Sequence, residues 1–158
     1  MPDWVSHVLI GLIICELFNV KKKSLVLLGA LLPDLIRYTY LPAAFLNLPP
    51  STINYMDWFV VVAHLPVGIF LLTLFVSSFF SYNYKRTASL ISAGWISHLS
   101  ADFTTKHFNG GYSFLFPYSF QKYELDLLWT EQYYIVLMLS AAALLLIKLT
   151  KKSIYSIK

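Results

Sequence analysis

Apolar residues along this chain fall in long blocks, not in the short alternation of a half-buried strand. Five blocks approach the roughly 20 residues that a membrane-crossing helix needs. They run from about Trp4 to Val20, from Ser24 to Ile36 with an extension toward Leu46, from Trp58 to Phe80, from Thr87 to Phe103 and from Tyr133 to Leu149. The second is short and carries Pro33 near its end, so a kinked span or one that stops short is expected there. The pattern predicts an all-α fold: an integral membrane bundle of about five transmembrane helices, forming one domain over residues 1–158.

Composition supports a lipid setting. Apolar residues make up 58% of the chain and charged residues 13%, about half the charged share of a soluble domain. A soluble fold of this length has too little interior to hide so much apolar surface. The start of the chain, Met1-Pro2-Asp3, lacks the basic stretch of a secretory signal, so the first helix is expected to be retained. Cys15 is a single cysteine in an apolar run and reads as a small buried hydrophobe.

The net charge of +4 matters less than where the charge lies. Lys21, Lys22 and Lys23 separate blocks one and two, and Lys85 and Arg86 separate blocks three and four. Lys148, Lys151, Lys152 and Lys158 cluster near the C-terminus. With five spans these nine of the twelve basic residues share one side, opposite Arg37, Lys106 and Lys122. The positive-inside rule then puts the C-terminus in the cytoplasm and the N-terminus outside, in a multi-pass protein of the cytoplasmic membrane. No basic face has the motif context of nucleic-acid binding, so no nucleic acid is expected as a partner.

Two longer connections fall outside in this topology. Residues 38–57 contain Pro42, Pro49 and Pro50, which argue against a continuous helix. Residues 104–132 are rich in rings, from Phe108 and Tyr112 to Tyr123 and Trp129. Such rings favour the membrane boundary, and this stretch is expected to lie over the outer helix ends.

Ionisable residues within lipid-facing spans are costly, and each asks for a reason. Inside the blocks lie His7, Glu16, Asp34, His64, His98 and Asp102. All but Glu16 fall at similar depth toward the outer face. His98 and Asp102 are four apart and share one helix face. Imidazole and carboxylate together suit zinc, and also manganese or iron. Asp34 and His64 could complete a roughly tetrahedral set. His7 could hold a second ion with Asp102 as a bridge. A pair of metals would form the clamp used in phosphoester hydrolysis, with one activating water. Asp34 or Asp102 would orient that water. Glu16 lies near Lys21–Lys23 and reads as a paired or snorkelling carboxylate. Asp57 reads as a helix-start residue and His107 as a loop residue that could reach a further ion.

The stretches PDWVSHVLIG (2–11), GALLPDLI (29–36), AHLPVG (63–68), SHLSADFTT (97–105) and GYSFLFPYS (111–119) resemble, in order, the bacterial and archaeal family of membrane-bound metal-dependent hydrolases of the YdjM type. The resemblance covers the chain to about residue 119. Members often carry a basic stretch with threonine and serine around the third-span histidine, where this chain reads VVAHLPVGI. More distantly, the order His7, Asp34, His64, then His98 with Asp102 is similar to the ligand order of zinc-dependent phospholipase C and single-strand nucleases. That likeness implies Asp34, His64, His98 and Asp102 around one metal, with His7 and Asp102 serving a second. A third metal would have only His107 and one of Glu124, Asp126 or Glu131 to draw on.

These readings converge on a membrane-bound hydrolase with one or two divalent metals, zinc first and manganese second. Its substrate would be a small-molecule or lipid phosphoester, including a lipid head group, taken at the outer face of the membrane. A metal-ion or proton transporter is the alternative, because intramembrane His and Asp chains also serve transport. A structural membrane protein with a degenerate site is a third reading.

Overall fold

The computed structural model describes residues 3–38, 45–46, 49, 58–106 and 110–156. Asp57 and His107 lie outside the described residues, as do Pro42, Pro50 and Phe108. Among the described residues the chain is all-α, with two isolated bridges and no extended strand. Helix α1 spans Trp4–Leu17, α2 Lys23–Arg37, α3 Pro66–Ser77, α4 Tyr84–Phe103 and α5 Tyr133–Ser156. A three-residue 3-10 turn, Thr130–Gln132, leads into α5.

The helix ends follow from local chemistry. The Asp3 carboxylate accepts hydrogen bonds from the Ser6 N–H and the Ser6 hydroxyl, each at 3.0 Å, and so caps α1. Asn83 caps α4 through the Arg86 N–H at 3.1 Å. The third block departs from the expected single helix. Residues 58–63 are helical, His64 and Leu65 form a turn, and α3 starts afresh at Pro66. Proline lacks the N–H that would bond to Val62 and drives the residue before it into an extended conformation. Leu65 is extended accordingly, at φ −108° and ψ 151°. The break folds tightly, because a Cβ on Gly68 would stand 1.8 Å from the Val62 carbonyl oxygen.

The core centres on α2 and α4, which share the most extensive contact. Leu25, Ala63, Ile69, Ile91, Trp95 and Leu99 form its buried cluster. Two glycines set the crossing. A Cβ on Gly29 would lie 2.0 Å from the Ile91 carbonyl oxygen, and one on Gly94 would lie 1.9 Å from that of Val26. The two backbones therefore touch where any side chain would hold them apart. Helix α1 packs on α2, α3 on α4, and α5 on α1.

The basic groups gather at one end of the bundle. Lys22 Nζ sits over the Tyr82 ring, 2.8 Å from its centroid, so the α1–α2 and α3–α4 turns are neighbours. Lys151 on α5 bonds to Asn19 Oδ1 at 2.8 Å and to Glu16 on α1. Glu16 also pairs with Lys23, and is thus the paired carboxylate expected from sequence. At the other end, residues 104–106 and 110–132 form a strap across the helix ends. Its returning limb bonds back to the end of α4, through Leu125 N–H to Phe103 O at 3.0 Å and Leu127 N–H to Thr104 O at 3.1 Å.

Among the described residues one helix is long and apolar enough to cross a membrane: Tyr133–Ser153 within α5, with mean hydropathy 2.0. Helices α1 and α3 are apolar but shorter, at 14 and 12 residues.

The crossing yields a first prediction. Gly94→Ala must push α2 and α4 apart at the backbone and is expected to cost about 3 kcal/mol or more, the upper range for overpacking. Gly11→Ala would press on the flexible end of Leu27, at 3.2 Å, with Ala30 and Val26 at ordinary contact distance, and is expected to be tolerated. Thermal unfolding of the two purified variants compares them; equal melting temperatures would contradict the crossing.

Candidate metal centre

The helices deliver His7, Asp34, His64, His98 and Asp102 to one place. On α1 the buried residues Ser6, His7, Gly11 and Cys15 make a stripe one turn apart. Gly11 rests against Ala30 of α2, since its added Cβ would lie 3.5 Å from the Ala30 Cβ. One turn back along α1 is His7, and one turn on along α2 is Asp34. The same crossing of α2 on α4 brings Ala30 near Gly94. One turn after Gly94 is His98, whose Nδ1 lies 2.8 Å from the Ala30 carbonyl oxygen. Asp102 follows one turn later.

His64 arrives differently. It sits at the break before α3, where the Trp95 indole N–H donates to the Ala63 carbonyl at 2.8 Å. Trp95 is fully buried, so this bond ties the break to α4. The His64 Nδ1 lies 2.8 Å from the Val60 carbonyl oxygen.

A carbonyl oxygen can only accept, so Nδ1 must carry the proton in both His64 and His98. When these rings are neutral, each Nε2 is left with its lone pair. This is the arrangement that metal-binding histidines use to fix ring and tautomer. The Nε2 atoms of His7, His64 and His98 and Oδ1 of Asp102 are all buried without a hydrogen-bond partner. None of the five residues is more than 6% exposed.

His7 and His98 stack, with ring centroids 3.9 Å apart and planes 22° from parallel. Each carboxylate reaches toward both rings. Asp102 places Oδ1 at 3.5 Å from His7 Nε2 and Oδ2 at 3.3 Å from His98 Nε2. Asp34 places Oδ2 at 3.9 Å from His7 Nε2 and Oδ1 at 4.0 Å from His98 Nε2. Ligands about 2.1 Å from a tetrahedral zinc stand about 3.4 Å from one another, so these separations fit a cation between them.

Among the described residues two groups satisfy ligand spacing: His7, Asp34 and His98, and His64, His98 and Asp102, with ligand atoms in each all within 4.8 Å of one another. The grouping departs from the one the ligand order implies. Asp34 keeps company with His7 instead of His64, because α1 lies alongside α2 in the register set at Gly11 and Ala30. Both groups need His98, and its Nδ1 is spent on Ala30. One Nε2 lone pair serves one cation at a time, so the two groups cannot both be complete at once.

Glu16 lies at the opposite end with Lys23 and Lys151 and takes no part. Asp126 pairs with Lys106 at 3.2 Å, half-exposed on the strap. The sequence did not single out Tyr112 as a site residue. Its hydroxyl donates to Asp102 Oδ2 at 2.9 Å, and its ring lies parallel to that of His64 with centroids 6.1 Å apart. In sequence it is one aromatic residue among many on the strap, and no spacing rule separates it from its neighbours.

Comparison with known proteins adds no relative: no family model, no curated protein and no solved structure matches the chain.

Proposed function

We propose that this chain is a membrane-embedded hydrolase that uses a divalent metal, zinc first, to cleave a phosphoester at the outer face of the cytoplasmic membrane. The observation that carries this reading is the meeting of His7, His64 and His98 with Asp34 and Asp102 in two buried groups at ligand spacing, with the three Nε2 atoms and Asp102 Oδ1 left without a hydrogen-bond partner. Two buried carboxylates need compensating positive charge, and an unpaired buried ion costs several kcal/mol. Among the described residues their ion-pair partners are histidines alone. Either protons on those rings or one divalent cation would balance the pair.

His98 with Asp102 and His64, or His98 with His7 and Asp34, would hold the cation. When bound, it would supply Lewis-acid activation of water and stabilise charge developing on a phosphoryl oxygen. The protein's own groups do the rest. Ala30 and Val60 hold His98 and His64 in the tautomer that presents Nε2 inward. The carboxylate not engaged by the cation, Asp34 or Asp102, would orient the water and take its proton. Burial keeps bulk solvent from competing.

The membrane setting rests on the exterior. Large apolar residues are exposed around the helices, among them Phe70, Phe75 and Phe79 on and after α3 and Met138, Leu139, Leu145 and Leu146 on α5. An exposed apolar surface of this extent calls for lipid or a partner. The basic end opposite the His/Asp cluster suits the cytoplasmic side. At 1.5 Å per residue, α1 and α3 reach roughly 21 and 18 Å, less than the roughly 30 Å of hydrocarbon. A cluster set below the outer surface, with the strap filling the remaining depth, reconciles those lengths with a bundle of five crossings. Non-helical backbone at that depth is tolerated where protein surrounds it. The five short motifs that resemble those of the YdjM-type hydrolases are in line with this reading.

Metal analysis of the purified protein tests the centre. Wild type is expected to carry stoichiometric zinc or manganese, and His98→Ala and Asp102→Ala to lose it along with turnover on a phosphodiester panel. Metal-free wild type would end the proposal. Metal flux into vesicles without hydrolysis would instead favour a transporter.

Labelling tests the topology. In a Cys15→Ser background, a cysteine at Tyr118 is expected to react with an impermeant maleimide from outside intact cells. One at Lys21 should react only after permeabilisation. Labelling of both from the same side would refute the arrangement.

A further inference from the structure

Tyr112 is held with unusual firmness for a residue in a connection. Its N–H donates to the Tyr123 carbonyl at 2.9 Å, and its own carbonyl accepts from the Tyr123 N–H at 3.0 Å. Gly111 before it has φ +89°, and a Cβ there would stand 2.3 Å from the Tyr123 carbonyl oxygen. Only glycine allows both that backbone angle and that approach. Two residues on, Phe114 packs edge-on against Phe103 of α4, with centroids 4.9 Å apart. Tyr112 and Phe114 both lie against the core cluster of α2 and α4. The phenol is thus anchored relative to the helix that carries His98 and Asp102.

Its hydroxyl meets Asp102 asymmetrically. The O–H donates to Oδ2, while Oδ1 is buried with no hydrogen-bond partner. An ionised carboxylate offers several acceptor sites over two oxygens and can bind a metal through one oxygen or both. A hydrogen bond on one oxygen withdraws charge from it and stops the group turning about its Cβ–Cγ bond. Resting on the reading of the His/Asp cluster as a metal centre, we propose that Tyr112 is a positioning residue for the bound cation. It holds Asp102 by Oδ2, which also faces His98 Nε2 at 3.3 Å, so that Oδ1, 3.5 Å from His7 Nε2, is the oxygen left free for coordination. Tyr112 itself touches neither the cation nor the reacting atoms. Such outer partners typically govern metal affinity by about 10–100-fold.

Tyr112→Phe removes the O–H and keeps the ring, and is compared with wild type by competitive zinc titration against a chelator. The absorption spectrum of the cobalt-loaded proteins is recorded alongside. The variant is expected to bind zinc about 10–100-fold more weakly and to show shifted cobalt bands, because Asp102 changes its mode of binding. Phe120→Leu alters an exposed ring of the strap that packs on Phe116, away from Tyr112 and Asp102, and is expected to keep wild-type affinity and spectrum. Zinc affinity of Tyr112→Phe within about twofold of wild type, with an unchanged cobalt spectrum, would overturn the role of Tyr112 and leave the metal centre standing. An equal loss in Phe120→Leu would assign the effect to general disturbance of the strap and overturn it too. Wild-type protein that binds no metal would remove the centre itself.

Discussion

Two carboxylates placed where water does not reach must be balanced by positive charge, and much of this bundle is arranged around that demand. Asp34 and Asp102 each extend one oxygen toward His7 and the other toward His98. The two imidazoles stack between them. Such a set is stable only with protons or a cation at its centre, since the alternative is two uncompensated charges in an apolar interior. The tautomers of His64 and His98, dictated by backbone carbonyls, leave nitrogen lone pairs pointing inward. Lone pairs beside carboxylates form groups that could hold a cation.

The geometry of that set comes from backbone contact more than from side-chain packing. Gly29 and Gly94 let α2 and α4 approach until carbonyl oxygens fill the space of a missing Cβ. Only at that distance can a histidine on α4 bond to the Ala30 carbonyl on α2. Gly11 plays the milder part on α1, bringing His7 level with Asp34. Small residues at a crossing let two helix backbones approach this closely. The histidine of the third block reaches the site by another route, a break forced by Pro66 and tied to α4 through Trp95.

The bundle is polar at its two ends in different senses. At one end Lys22, Lys23 and Lys151 gather with Glu16 and Asn19, where long side chains can reach water. Toward the other end the polar groups are short, buried and turned inward beneath an aromatic strap. The first arrangement binds α5 to the α1–α2 turn. The second concentrates ligating groups in one pocket, which is what separates a site from a scatter of tolerated charges.

The sequence by itself determined the helices and the composition of the site. Long apolar blocks are local signals read within a few residues, although they predict one helix over the third block, where Pro66 starts a second. The cost of an ionisable group in an apolar block marked out His7, Asp34, His64, His98 and Asp102, and the i, i+4 spacing joined the last two. What the tertiary structure alone decided is which of them meet and through which atoms. Asp34 pairs with His7 because two helices align at Gly11 and Ala30, a register that no one-dimensional spacing encodes. The limit of one cation on His98 follows from a carbonyl 68 residues away in the chain. The hold of Tyr112 on Asp102 depends on a strap folding back over α4, and a tyrosine among many rings carries no local mark of that contact. Local periodicity is written along the chain, whereas the pairing of atoms across helices exists only once the backbones have packed.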